Sequence, residues 1–153
     1  MKRFDAVIIG AGQAGPPLAA RLAEAGMTVA LTERNLFGGT CVNTGCMPTK
    51  TLIATARAAH VARHAERLGV LTSGTLRVDL GRAKARADAI TEESRTGIEN
   101  RLRATKGCTV LVGHARFESP HVVRVGEEVL TAPRIFVNVG GRAATPSSIR
   151  VEK

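Results

Sequence analysis

Gly10, Gly12 and Gly15 spell G-x-G-x-x-G in the run "GAGQAG". The pattern alone is common, and its surroundings give it force. The apolar run from Phe4 to Ile9 before it reads as a buried strand. "PPLAARLAEAG" after it reads as a helix that ends at Gly26. Pro16 and Pro17 suit a first helical turn, where a missing N–H costs nothing. Leu18, Leu22 and Ala25 fall on one face, and Gly26 suits the position just past a helix end. "TVALTE" then reads as a second strand that closes on an acid, Glu33. This succession is the β-α-β unit that holds a dinucleotide. In it Gly10 permits the tight turn, Gly12 lets a pyrophosphate approach the backbone, and Gly15 lets helix and strand pack closely. The helix start offers N–H groups and a partial positive charge to the phosphates. Glu33 accepts from the adenosine ribose hydroxyls, and an acid there disfavours a 2′-phosphate.

A second segment, Gly38 to Lys50, reads "GGTCVNTGCMPTK" and holds two of the three cysteines. Zinc usually takes C-x2-C pairs and four ligands. Cys108 is the only other thiol, and His60 and His64, one helical turn apart, lie on a stretch rich in alanine and arginine. No metal is expected. Two inert buried cysteines are an alternative. A reversible disulfide fits the pattern better, because Asn43, Thr44 and Gly45 can turn the chain back. Cys46 then opens a helix whose N-terminus stabilises a thiolate. Cys108 reads as a small core residue in or beside a strand.

Beyond the cysteines, a helix is expected to about Leu68, closed by Gly69. A second runs from Leu80 to about Lys106, with an imperfect apolar stripe of Ala83, Ala87, Ile90, Ile98 and Leu102. The period then changes to two. "TVLVGHARF", "HVVRV", "EVLTA" and "RIFVNVG" read as short strands joined by turns, and residues 147–153 as a polar tail. The 153 residues suit one domain. The net charge is +9, with most of the excess assigned to the helix between Arg82 and Lys106. A solvated helix face explains it better than nucleic acid does, since Tyr and Trp are absent and no nucleic-acid motif occurs. No apolar run reaches membrane-span length. No signal peptide is evident, and three cysteines do not suggest an extracellular framework, so the cytoplasm is expected and neither nucleic acid nor membrane is a partner.

Together the Gly10–Gly15 loop, Glu33 and "GGTCVNTGCMPTK" resemble the class I pyridine nucleotide-disulfide oxidoreductases. "VLVGHARFESPHVVRV" and "TAPRIFVNVGGRAATP" resemble two later segments of that family. In the second, Asn138-Val139-Gly140-Gly141 stands where many members carry Ala-Thr-Gly-Ser. The resemblance covers about Arg3 to Pro146. It implies a Rossmann-like α/β FAD-binding domain over 1–146, with a long helical excursion and a small antiparallel β-meander. It implies FAD as the dinucleotide, Cys46 as the thiol beside the flavin, and Cys41 as the interchange thiol. Lys50 is placed near the flavin N5. Gly39 and Thr40 are placed at the flavin and its diphosphate, Arg34 beside Glu33 in the cofactor site, Ala115 against the adenine, and Gly140 in the last FAD-contacting segment.

The implied activity passes electrons from NAD(P)H through flavin to the Cys41–Cys46 disulfide. From there they reach a small-molecule disulfide or a mercuric ion, in a homodimer, and the overall resemblance leans toward a mercuric-reductase-like substrate. Family members are about three times this length, so the chain is expected to be truncated, lacking the NAD(P)H-binding and C-terminal dimerisation domains. The alternative expectation is an FAD-binding fragment with no turnover of its own.

Overall fold

Ala6 to Ile9 carry no polar side chain, and a strand apolar on both faces needs a layer on each side. The computed structural model describes residues 1–71, 73–142 and 144, so the expected polar tail lies outside the described residues. Here β1 (Lys2–Arg3) precedes β2 (Ala6–Ile9), α1 (Gly15–Glu24) and β3 (Val29–Glu33). Then come α2 (Gly39–Asn43), α3 (Cys46–Arg63), a 3-10 turn (Ala65–Leu68) and α4 (Leu80–Ala104). Five strands follow: β4 (Cys108–Val112), β5 (Ala115–Ser119), β6 (Val122–Val125), β7 (Glu128–Thr131) and β8 (Arg134–Val137).

A parallel sheet of order β4-β3-β2-β8 forms the middle layer. Strand side chains alternate between faces. Ile8, Val29 and Leu31 therefore point to one side, where they pack with Ala19 of α1 and Leu102 of α4. Val7, Ile9 and Ala30 point to the other, where Val123, Val125, Leu130 and Ala132 meet them from a second sheet. That sheet has the order β1-β7-β6-β5. The result is three layers, helices over a parallel sheet over a mostly antiparallel one, in agreement with the α/β Rossmann-like expectation. At the entry edge the Asp5 carboxylate accepts from the backbone N–H and hydroxyl of Thr28. These bonds hold it below the usual carboxylate range.

The structure corrects several boundaries. Phe4 lies between β1 and β2 rather than inside one strand. "TVLVGHARF" is not one strand. β4 runs beside β3 from Val29↔Cys108 to Glu33↔Val112, and the chain then leaves for the other sheet as β5. β8 crosses back to pair with β2. Only β5, β6 and β7 form the antiparallel meander. α3 stops at Arg63, and the 3-10 turn carries the chain to Gly69, whose φ of +78° ends it. The five-residue α2 was not anticipated.

α4 begins where Asp79 accepts from the Arg82 backbone N–H at 2.9 Å, an ordinary N-cap. Its expected stripe does pack: Ala83, Ala87 and Leu102 are buried, Ile90 and Ile98 half-buried. The charge assignment needs correction. From Arg82 to Lys106 seven basic residues meet four acidic ones, a net of +3, so this helix carries only part of the +9. Three of those acids pair along the helix, in Lys84–Asp88, Arg95–Glu92 and Arg103–Glu99. Among the described residues no helix is long and apolar enough to cross a membrane.

If the second sheet is part of one cooperative core, Leu130→Ala, at a fully buried position, lowers unfolding free energy by about 2–5 kcal/mol. Leu71→Ala, at a position 83% exposed, changes it by less than about 0.5 kcal/mol. Urea titration followed by circular dichroism measures both.

Candidate functional site

β2 and β8 are neighbours, yet the chain leaves β2 for β3 on its other side. At such a reversal the connections diverge and open a crevice beyond the carboxyl ends of the strands. Gly10 follows β2 here, and Asn138 follows β8. The Asn138 N–H donates to the Ile9 carbonyl at 2.7 Å. Its Nδ2 donates to the Gly10 carbonyl at 3.3 Å. Gly10 has φ +105°, and a Cβ there would lie 2.2 Å from the Asn138 carbonyl oxygen. Gly15 answers a similar demand, since its Cβ would lie 2.3 Å from the Gly10 carbonyl oxygen. Gly12 differs. A Cβ there would meet nothing closer than the Asn138 amide at 3.6 Å, an ordinary contact. Internal packing does not demand glycine at that position, while a ligand lying against the backbone would.

Among the described residues, the amides of Gly12, Gln13, Ala14 and Gly15 donate to no protein acceptor. Pro16 and Pro17 have no N–H, so the helix itself offers fewer donors than expected, and the loop supplies most of them. No acidic side chain lies in the first turn of α1 to oppose an anion. The Glu33 carboxylate bridges the turn: one oxygen accepts from the Ala11 N–H at 2.8 Å, the other from the Asn35 N–H at 2.9 Å. Each oxygen keeps a further acceptor position for a hydroxyl. Arg34 beside it is exposed. Ala115 opens β5, three residues after Val112, the register partner of Glu33. Gly140, with φ +72°, lies two residues past Asn138 and is exposed. All of these sit at the carboxyl edge of the parallel sheet. Cys108 opens β4 at the opposite edge, where partial burial pushes its thiol up.

The cysteine segment is seated on the glycine loop. The Gly38 N–H donates to the Ala11 carbonyl at 2.8 Å, and Gln13 Nε2 donates to the Gly38 carbonyl at 3.1 Å. A Cβ on Gly39 would lie 2.9 Å from the Gly12 Cα. Phe37, 3% exposed, anchors the segment in the helix-side core. Asn43 Nδ2 donates to the carbonyls of Phe37 and Gly39, both at 2.9 Å, and so closes α2 on itself. From α4, Arg95 donates to Asn43 Oδ1 at 3.4 Å and Arg86 to the Thr51 carbonyl at 3.3 Å.

α2 carries Thr40 and Cys41. Gly45, where a Cβ would lie 3.0 Å from the Thr40 carbonyl oxygen, turns the chain back so that Cys46 opens α3. Both cysteines are free thiols, Cys41 half-buried and Cys46 exposed. The Cys46 side chain beside it, then burial, push the Cys41 thiol up, against smaller downward pulls from the Cys46 backbone and the Lys50 ammonium. Lys50 is exposed one turn further along α3. His60 and His64 lie near the other end of that helix, roughly 20 Å from Cys46 along its axis.

Gln13, Asn43 and Asn138 are structural members of the site that sequence reasoning did not single out. The only signal was Asn138 itself, standing where many members of the resembled family carry alanine.

A model of the "Pyridine nucleotide-disulphide oxidoreductase" family matches residues 4–152. A dihydrolipoyl dehydrogenase of Acholeplasma laidlawii is 30% identical over 145 residues, covering 95% of this chain and 43% of that protein. The probable pyridine nucleotide-disulfide oxidoreductase RclA of Escherichia coli is 34% identical over 152 residues, covering 95% of this chain and 30% of RclA. A solved structure described as a Cu(II) complex of the HOCl-induced flavoprotein disulfide reductase RclA superposes with a TM-score of 0.79 at 33% identity. It covers 96% of this chain and 31% of that one. The chain thus spans under half the length of these relatives. The family match runs through the glycine turn, the cysteine segment and both sheets, and the chain belongs to the pyridine nucleotide-disulphide oxidoreductase family.

Proposed function

We propose that residues 1–146 are the FAD-binding, dithiol-bearing unit of an FAD-dependent disulfide oxidoreductase. The observation that carries this reading is the contact of Gly39 on Gly12, which makes the dinucleotide loop and the cysteine segment one continuous surface. The loop amides without protein acceptors and the absence of any packing reason for Gly12 fit a diphosphate. Those amides would hold it, Glu33 and Arg34 would meet the adenosine side, and Ala115 would lie on the adenine side. Gly39, Thr40, Lys50 and Gly140 would border the flavin. Bound FAD supplies two-electron chemistry between a nicotinamide donor and the cysteine pair.

The chain's own chemistry is thiol–disulfide exchange. The Cys41 thiolate attacks one sulfur of a substrate disulfide, and the first substrate thiolate leaves and takes a proton. Cys46 then attacks the Cys41 sulfur in the mixed disulfide. The second substrate thiol departs, and Cys41–Cys46 is left oxidised by two electrons. The steps reverse for a dithiol substrate. The turn at Gly45 fits this order, since it brings the start of α3 back against Cys41, whose Cα would lie 3.5 Å from a Cβ on Gly45. The named relatives favour a small lipoyl-type disulfide over a mercuric ion. NAD(P)H as donor and a homodimeric assembly belong to this proposal for the protein in its working form.

Mixed with FAD and desalted, the chain is expected to retain a visible flavin spectrum. A folded but colourless protein sinks the FAD assignment. Gly12→Ala keeps the fold and weakens FAD binding by about tenfold or more, roughly 1.4 kcal/mol. Gly10→Ala instead costs roughly 2–4 kcal/mol of stability, because strain and overlap add. Flavin fluorescence titration and urea denaturation separate the two.

Cys46→Ala removes the largest cause of the raised Cys41 pKa. Cys41 should therefore deprotonate at lower pH than in the unaltered, reduced protein. Mass mapping of iodoacetamide labelling against pH reads the shift. An unchanged or higher midpoint contradicts Cys46 as the cause of the raised Cys41 pKa.

A further inference from the structure

His60 and His64 lie outside everything assigned so far. Their ring centres are 4.3 Å apart, with planes inclined by 36°. α3 ends at Arg63, and the His64 backbone N–H turns to the Val61 carbonyl at 3.1 Å. The His60 carbonyl thereby loses the i+4 backbone donor it would have inside a helix. The His64 ring replaces it, with Nδ1 2.8 Å from the His60 oxygen. A carbonyl only accepts, so Nδ1 carries the hydrogen, and in the neutral ring Nε2 carries the lone pair. That is how metal-binding histidines are usually oriented, one ring N–H fixed on an acceptor and the other nitrogen left to ligate.

The ring spacing narrows the ion. A metal about 2.0–2.1 Å from a ring nitrogen lies roughly 3.2 Å from that ring's centre. Two rings at a right angle around it have centres about 4.5 Å apart, and at a tetrahedral angle about 5.2 Å. The observed 4.3 Å is short enough for both rings to reach one ion at adjacent positions.

We propose that His60 and His64 form a two-histidine site for a divalent transition-metal ion, with Cu(II) preferred by the general affinity order. Water completes the coordination. Among the described residues no cluster of three or more His, Cys, Asp or Glu could hold a metal. Arg57, Arg63 and Arg67 add positive charge nearby in the sequence. The site is accordingly an open, exchangeable one. A bound ion links residues 60 and 64 and steadies the turn where α3 gives way to the 3-10 turn, with a stabilisation that grows with metal concentration.

The test uses the full chain carrying Cys41→Ser and Cys46→Ser, which keeps the two catalytic thiols from reducing or capturing copper. Cu(II) is titrated and followed by electron paramagnetic resonance. One equivalent is expected to bind saturably with coupling to two ring nitrogens. His60→Ala and His64→Ala each weaken binding at least about tenfold. His121→Ala, at an exposed histidine on the other sheet, leaves it unchanged. Circular dichroism checks that each surface variant is folded. Unchanged binding in both His60→Ala and His64→Ala overturns the proposal. So does loss of the signal in His121→Ala, or no saturable signal below about 1 mM copper.

Discussion

No side chain fits between Gly10 and the Asn138 carbonyl oxygen, where a Cβ would stand 2.2 Å away. The site is built outward from this approach of two backbones. It brings the end of β8 against the end of β2, and the turn after β2 must then bend with a positive φ. α1 starts at once, close enough that Gly15 also has no room for a side chain. The next layer rests on the first: the Ala11 carbonyl receives the Gly38 N–H, and Gly39 lies on Gly12. The dithiol is therefore positioned through a chain of backbone contacts that begins at Asn138, far from it in sequence.

Backbone contacts of this kind tolerate little adjustment, which explains how a segment with two reduced cysteines keeps its shape without a covalent bridge. Phe37 contributes burial on the order of 1.5–3 kcal/mol. The two bonds from Asn43 contribute about 0.5–1.5 kcal/mol each. α4 braces the segment from outside through Arg86 and Arg95. The support of the pair thus lies in the loop and helices around it.

Much of this was legible locally. The strand, glycine turn, helix and acid-ended strand were readable because each depends on residues only a few positions apart. Gly26 and Gly69 mark their helix ends for the same reason. The cysteine spacing and the small residues between carried the resemblance to the family. Other features were not legible. "TVLVGHARF" has one continuous alternating pattern, and nothing in it records that its halves join different sheets. α2 is too short to have a period. Asn43 and Asn138 look like ordinary turn residues until their partners are known.

What the sequence determined by itself, then, were the β-α-β unit, its glycine turn and the helix that Cys46 opens. Each rests on short-range sterics: which residue can turn, cap or alternate. Tertiary structure alone decided how the last strands divide between two sheets and that the cysteine segment lies on the glycine loop. It also decided that Glu33 ties that loop to β3 and that the His64 ring takes over a helix-end carbonyl. These follow from pairing and packing between distant segments, where register and contact depend on the whole fold.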